Sequence, residues 1–199
     1  MISPMSSRVT PSENKRGLLV VMSAPSGGGK TTLAHELISR FPHSHRSLSW
    51  TTRPMRPTEI PGQDYTFVSD ADFDKLAKQD AFAESAVVHG FRYGTPKAFL
   101  QECLDRAEIV FLIIDVQGAS SIKASFPQSL TIFLDPPDFD VLETRLRKRG
   151  TEAEGDIRKR LENARKEIAE AKGFDFRVLN DRLDRAALEI ESIIRKRLE

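Results

Sequence analysis

Residues 23–32 read SAPSGGGKTT, at the end of the unbroken apolar run GLLVVMSA (17–24). Such a run, closing in small residues, predicts a strand buried on both faces of a parallel sheet. Beyond the glycines, Leu33, Leu37, Ile38 and Phe41 recur at helical spacing and predict a helix over 30–41. Strand, glycine-rich turn, Lys-Thr and helix make the Walker A arrangement, G-x-x-x-x-G-K-[ST]. Glycines let several backbone N–H groups converge on one anion, and the helix N-terminus adds its partial positive charge. Ala24, Pro25, Ser26, Gly27, Gly28, Gly29, Lys30, Thr31 and Thr32 are therefore expected to hold the phosphates of a nucleoside triphosphate. Lys30 reaches the β- and γ-phosphates, and the Thr31 hydroxyl helps to hold Mg²⁺. Ala24 stands where the motif has its first Gly. A methyl group is tolerated there at negative φ, and Pro25 biases Ala24 toward an extended conformation.

The rest of the chain repeats the alternation. EIVFLIID (108–115), SLTIFL (129–134) and FRVLN (176–180) read as further strands. Leu142 with Leu146, then Ile157, Leu161, Ala164, Ile168 and Ala171, then Leu183, Ala187, Ile190, Ile194 and Leu198 mark helices. Strands alternating with helices predict an α/β fold, a central parallel β-sheet flanked by helices. A chain of 199 residues suits one such domain with insertions. The formal net charge of +1 gives no electrostatic reason to expect nucleic acid or an acidic membrane. The longest apolar runs are too short to cross a bilayer. Cys103 is the only cysteine, so no internal disulfide can form, which fits a cytoplasmic protein. One Cys and four His show no metal-ligand spacing, and no protein-bound transition metal is expected. Residues 1–16 are polar, lack an apolar segment and are expected to be a loose tail rather than a secretory signal.

Two stretches break the rhythm. Residues 49–96 are rich in Pro, Thr and charge and have no buried-strand run, which predicts a small inserted subdomain. Within it, Ser69 with Asp72 predicts the cap of a short helix carrying Phe73 and Leu76. Residues 138–160 pack many cations around Gly150 and Gly155 and predict a basic helical lid. The core is then 17–48, 97–137 and 161–199.

The insert carries SWTTRPMRPTEIPGQDYTF (49–67). It resembles the guanylate kinase signature S-x-T-T-R-x-x-R-x-x-E-x-x-G-x-x-Y-x-F. The likeness continues in order through AFAES (81–85), FRYGTP (91–96), IIDVQGA (113–119), RLRKRGTE (145–152), IRKRL (157–161) and VLNDRLD (178–184), and so covers roughly 17–199. The resemblance implies a P-loop NTPase fold and transfer of the γ-phosphoryl of ATP to GMP, and with it dGMP use and a place in purine nucleotide metabolism and GMP recycling. It also implies that Arg53, Arg56, Tyr65 and Tyr93 bind the GMP phosphate. Two arginines three apart can converge on a phosphate dianion, and phenols add donors without adding charge. Ser49, Glu84 and Thr95 are implied for the base. Guanine presents N1–H and N2–H₂ side by side, and an ionised carboxylate accepts both, whereas adenine offers a bare acceptor.

Taken singly, these residues have plainer readings. RPMR reads as a pair of solvated arginines, Glu84 as a solvated acid at a helix end, and Thr95-Pro96 as a helix N-cap with Pro at the first helical position. Asp115, just past a strand, is implied on the GMP side, ordering metal-bound water. The family usually has Asp or Glu two residues earlier, where this chain has Ile113; Val116 stands at a position often filled by Trp or Met. Arg145, Arg149 and Arg160 match the lid and adjacent-helix arginines, implied as catalytic with Lys30 and Arg53. Lys148 and Lys159 lack a match and read as solvated. Asn180 is implied beside the ATP adenine. The lid and insert are expected to close when both substrates bind, excluding water. Two other readings compete: a guanylate-kinase-like domain that only binds partners, and a P-loop kinase with another acceptor. The first lacks support because Lys30, Thr31, Arg53, Arg56, Glu84 and Asp115 are all present. The second should lack the Ser49–Glu84–Thr95 set. ATP and GMP are the expected partners, with no nucleic acid or membrane, for a monomer or homodimer.

Overall fold

The apolar runs become neighbouring strands of one sheet in a computed structural model. It describes residues 17–25, 28–88, 90–148 and 154–199, with the side chains at 145, 146, 148, 154 and 156 outside the description. In chain order the elements are β1 (Leu18–Ser23), α1 (Lys30–Arg40), β2 (Ser44–Arg46), β3 (Trp50–Thr51), β4 (Thr66–Phe67), α2 (Asp70–Lys78), β5 (Phe82–Val88), β6 (Phe91–Pro96), α3 (Lys97–Asp105), β7 (Ile109–Ile113), α4 (Val116–Ser125), β8 (Leu130–Asp135), α5 (Phe139–Lys148), α6 (Glu154–Glu170), β9 (Phe176–Leu179) and α7 (Leu183–Leu198).

The main sheet has the order β2-β7-β1-β8-β9 and every pairing is parallel. Its central strand is apolar from Leu18 to Met22 because both faces are covered. Leu18, Val20 and Met22 pack with Leu33 and Leu37 of α1 and Ile190 and Ile194 of α7. Leu19 and Val21 pack on the other side with Leu100 and Cys103 of α3 and Ala119 and Ile122 of α4. Burying a Leu, Ile or Val side chain contributes about 1.5–3 kcal/mol, so the two layers fix the sheet firmly between its helices. Parallel pairing brings the carboxyl ends of β1, β7 and β8 to one rim, where such folds place their ligands.

Residues 50–96 build a second, four-stranded sheet of order β4-β3-β6-β5. β3 pairs parallel with β4 and antiparallel with β6, and β5 pairs antiparallel with β6. Two of these strands are only two residues long and most positions are half-exposed, so the segment carries no apolar run. β5 leans on α3 and α4, which brings this sheet beside the main one. α2 starts as the sequence predicts: the Ser69 hydroxyl accepts from the Asp72 N–H at 3.1 Å. Its Phe73 is buried and stacks on Phe82 at 4.6 Å. The Thr95 N-cap expectation is corrected. The cap of α3 is Pro96, with no side-chain bond, while Thr95 stays in β6 and is wholly buried.

α5 and α6 fall where the basic stretch lies. Leu142 and Ile157 are buried, and the Arg165 guanidinium sits 4.8 Å from the Phe139 ring, tying the two helices together. Among the described residues, no helix is long and apolar enough to cross a membrane.

Candidate active site

The phosphate loop leaves β1 at Ser23. Ala24 is 1% exposed and joins the core cluster. Among the described residues, the non-glycine positions with positive φ are His43, Asp80 and Ala107, so Ala24 has the negative φ its methyl needs. That methyl instead constrains its neighbour: a Cβ at Gly28 would lie 2.8 Å from the Ala24 Cβ and 2.9 Å from the Pro25 carbonyl. Gly29 caps α1 at φ 81°, in the left-handed region that favours glycine. The Lys30 ammonium curls over the loop and donates to the carbonyl of Ala24. Thr31 and Thr32 are exposed at the helix start. Ser26 and Gly27 lie outside the described residues.

Asn180 follows β9 at the same rim. Its side-chain amide donates to the Gly28 carbonyl at 2.7 Å, its own N–H bonds Asp135, and it is 7% exposed. The amide thus holds the loop from behind, a contact between residues far apart in sequence.

Across from the loop, the insert presents its cations. Arg53 is 9% exposed. Its guanidinium donates to Glu59 Oε1 at 2.6 Å, to the Pro54 carbonyl at 2.7 Å and to the Tyr93 hydroxyl at 3.2 Å. It also lies 5.4 Å from the Tyr65 ring centre. The reading of Arg53 as a solvated surface cation is corrected by this burial, while Arg56 remains well exposed. Burial pushes the Glu59 carboxyl up, but bonds from Arg53 and the Arg56 N–H outweigh it and hold the group below its usual range. The hydroxyls of Thr51 and Thr52 explain the Thr-Thr that precedes Arg53. Thr51 donates to the Arg92 carbonyl at 2.9 Å and accepts from the Arg53 N–H at 3.2 Å, and Thr52 accepts from the Arg92 N–H at 3.2 Å. Glu59, Thr51 and Thr52 were not singled out from the sequence, although all three stand in the motif. Tyr65 and Tyr93 pack edge-on at 5.9 Å. Burial, then Tyr93, pushes the Tyr65 phenol above its ordinary value, so it remains a hydrogen-bond donor at neutral pH.

Glu84 lies in β5, opposite Thr95 of β6. It is 7% exposed, which corrects the reading as a solvated acid at a helix end. The Thr95 hydroxyl donates to its Oε1 at 2.5 Å. Burial pushes the Glu84 carboxyl up to about 7; the nearby Asp115 charge acts in the same direction and the Thr95 bond against it. Asp115 caps α4, accepting from the Gly118 N–H at 2.7 Å.

These groups share one cavity of about 190 Å³. Lys30 and Thr31 line it from the loop; Ser49, Arg53, Arg56, Tyr65, Glu84 and Tyr93 from the insert; Ile113 and Asp115 from the end of β7; and Arg160 from α6. Glu167 of α6 lines it too, which the sequence did not signal. Ile113 puts an aliphatic side chain on the wall where the resemblance implies an acid. Val116 packs with Phe133 and Ala171, a filling role that a smaller apolar residue can perform. Thr95 and Asn180 stand behind the wall, each bonded to a residue that forms the site. Lys159 is exposed, as expected. The Arg145 side chain and Arg149 lie outside the described residues, as does the Lys148 side chain.

Elsewhere, the fold gathers His45, Cys103 and Glu108 so that their ligand atoms lie within 4.8 Å, a proximity invisible in their spacing. His45 Nε2 and Glu108 Oε2 stand 3.0 Å apart, at ion-pair distance but outside hydrogen-bonding angles. Burial and then Glu108 push the Cys103 thiol up, so it is a neutral thiol in this setting.

A phosphate loop at the carboxyl rim of a parallel sheet, sharing one cavity with the buried Arg53 and Glu84 of the second sheet, defines a P-loop kinase. A family model described as guanylate kinase matches residues 16–197. The guanylate kinase of Syntrophotalea carbinolica is 46% identical over 161 residues, covering 81% of this chain and 77% of that protein. That of Anaeromyxobacter dehalogenans is 48% identical over 170 residues, covering 85% and 75%. The crystal structure of guanylate kinase from Anaplasma phagocytophilum aligns with a TM-score of 0.78 at 30% identity, covering 91% of this chain and 86% of that one. The chain belongs to the guanylate kinase family.

Proposed function

We propose that this chain transfers the γ-phosphoryl group of ATP to a phosphate oxygen of GMP, giving ADP and GDP, with dGMP as a second acceptor. The observation that carries this reading is the convergence of Lys30, Arg53 and Glu84 on one cavity. A cation at a phosphate loop, a buried cation for a second phosphate and a carboxylate for a base are what two nucleotides in line require. Family membership over most of the chain supports it independently.

The residues divide the work. The loop from Ala24 to Thr32 cradles the ATP phosphates, and Asn180, beside the adenine, steadies that loop. Ser49, Glu84 and Thr95 read guanine. Arg53, Arg56, Tyr65 and Tyr93 hold the GMP phosphate, whose ionised oxygen attacks the γ-phosphorus as the bond to the ADP oxygen breaks. An ionised phosphate needs no general base, so catalysis rests on alignment and on neutralising charge. Lys30 supplies that charge from the loop, and Arg145, Arg149 and Arg160 from the lid side. Thr31 and Asp115 offer hard oxygen donors on the same wall, a donor set that suits Mg²⁺ rather than a softer metal. Mg²⁺ bound there supplies charge neutralisation on the triphosphate. Residues 49–96 serve as the GMP-binding part and 138–160 as the lid over a core of 17–48, 97–137 and 161–199; their closure excludes water. The cytoplasm is the compartment we assign.

Phosphorus NMR tests the reaction. Loss of the γ-phosphorus signal of ATP with growth of the β-phosphorus signal of GDP is the expected result, abolished by Lys30→Met. Release of inorganic phosphate without GDP would refute it.

A further inference from the structure

Gly118 stands in the first turn of α4, buried, at a helical φ. Its conformation therefore gives no reason for glycine, and glycine weakens a helix interior relative to alanine. The reason lies in front of it. A Cβ at residue 118 would fall 3.0 Å from Glu84 Oε2, 3.4 Å from Glu84 Cδ and 3.3 Å from Ile114 Cδ1. The Glu84 carboxylate stands closer to that position than a methyl group ordinarily allows.

The carboxylate cannot simply step aside. Its other oxygen is tied to the Thr95 hydroxyl at 2.5 Å, and Thr95 is wholly buried in the strand paired with β5. The backbone N–H of the same Gly118 holds Asp115 Oδ1 at 2.7 Å. One residue thus sets two acids on the cavity wall: Asp115 through an N–H, and Glu84 through the absence of a side chain.

We propose that Gly118 is a positioning residue for base recognition: its bare Cα lets the Glu84 carboxylate sit deep enough to accept from both the N1–H and the N2–H₂ of guanine. The proposal rests on the reading of Glu84 as the guanine-binding group. A methyl group at 118 pushes Glu84 Oε2 outward by a few tenths of an ångström, and a two-point contact loses one arm before it loses both. With the N2 amine assigned to Oε2, the oxygen that faces position 118, and N1–H to Oε1, the deep seat governs discrimination between GMP and IMP, which keeps N1–H and lacks the N2 amine.

The test is steady-state kinetics on Gly118→Ala, Glu84→Ala and the double variant, with GMP, IMP and ATP varied in turn. Gly118→Ala is expected to raise KM for GMP about tenfold, the scale of one lost charged hydrogen bond, with kcat and KM for ATP within about threefold. The preference for GMP over IMP in kcat/KM falls by the same factor. In the Glu84→Ala background the Gly118→Ala change should move KM for GMP by less than about twofold, because no carboxylate remains to displace. A general weakening of the fold would instead lower kcat and disturb both substrates. If Glu84→Ala raises KM for GMP and Gly118→Ala does not, the proposal falls and the reading of Glu84 stands. If Glu84→Ala leaves KM for GMP unchanged, both fall. Should Gly118→Ala melt too low for assay, Glu84→Asp and Glu84→Asp/Gly118→Ala replace the pair, since the shorter acid stands clear of the methyl. The double variant should then bind GMP within about twofold of Glu84→Asp, and a tenfold deficit would overturn the proposal.

Discussion

Acidifying the solution from pH 8 to pH 6 should weaken GMP binding through protonation of Glu84. Burial is the main reason the carboxyl holds its proton up to about 7, with Asp115 adding to the effect. Only the ionised form accepts both guanine donors; the protonated form turns an O–H toward them. GMP binding thus expels a proton whenever the free site is protonated. With a free-site pKa of about 7, about nine-tenths of the sites are ready at pH 8 and about one-tenth at pH 6, so Kd for GMP rises about tenfold, or about 1.4 kcal/mol. Isothermal titration calorimetry at several pH values, in buffers of different ionisation enthalpy, measures both the affinity and the proton released. The GMP phosphate takes up a proton of its own near pH 6, so the comparison is with Glu84→Gln, which has no proton to lose at this position. The variant should bind GMP weaker at pH 8 by about 1.5–3 kcal/mol and lack the extra tenfold slope. Identical pH slopes for the two proteins would refute the reasoning. Stability moves the other way. The group's folded pKa lies above its ordinary 4.5, so its contribution is fully present below that value and lost as pH rises through about 7. The empty protein should therefore gain melting temperature from Glu84→Gln at pH 8 and gain none at pH 4.

Two substitutions test the supports of the site. Asn180→Ala removes the amide that bonds the Gly28 carbonyl and should raise KM for ATP about fivefold, a loss of about 1 kcal/mol, with KM for GMP unchanged in steady-state kinetics. Tyr93→Phe keeps the ring against Tyr65 and removes the hydroxyl that accepts from Arg53, so it should raise KM for GMP about fivefold and leave KM for ATP alone.

The parallel sheet was legible because β1, β7 and β8 are buried on both faces, which forces the apolar runs seen at 18–23, 109–113 and 130–135. The phosphate loop was legible because its chemistry is local, one glycine turn followed by Lys-Thr. The second sheet was illegible, since β3 and β4 span two residues each and present no period. What the sequence hid is contact across the chain. Asn180 reaches Gly28 over 152 positions, and Thr95 lies 11 from Glu84 on the partner strand. Glu59 was in the motif, yet nothing about a lone acid between two prolines says that it will anchor Arg53. The role of Gly118 is a matter of what its Cβ would strike, and no spacing encodes that.

If one cavity joins ATP to guanine, no other base should serve as acceptor. The most direct measurement is ADP release with ATP and Mg²⁺ against GMP, AMP, CMP and UMP in separate reactions. Turnover with GMP and none above background with the other three is the expected result. Comparable turnover with AMP, or none with GMP while ATP still binds, would contradict it.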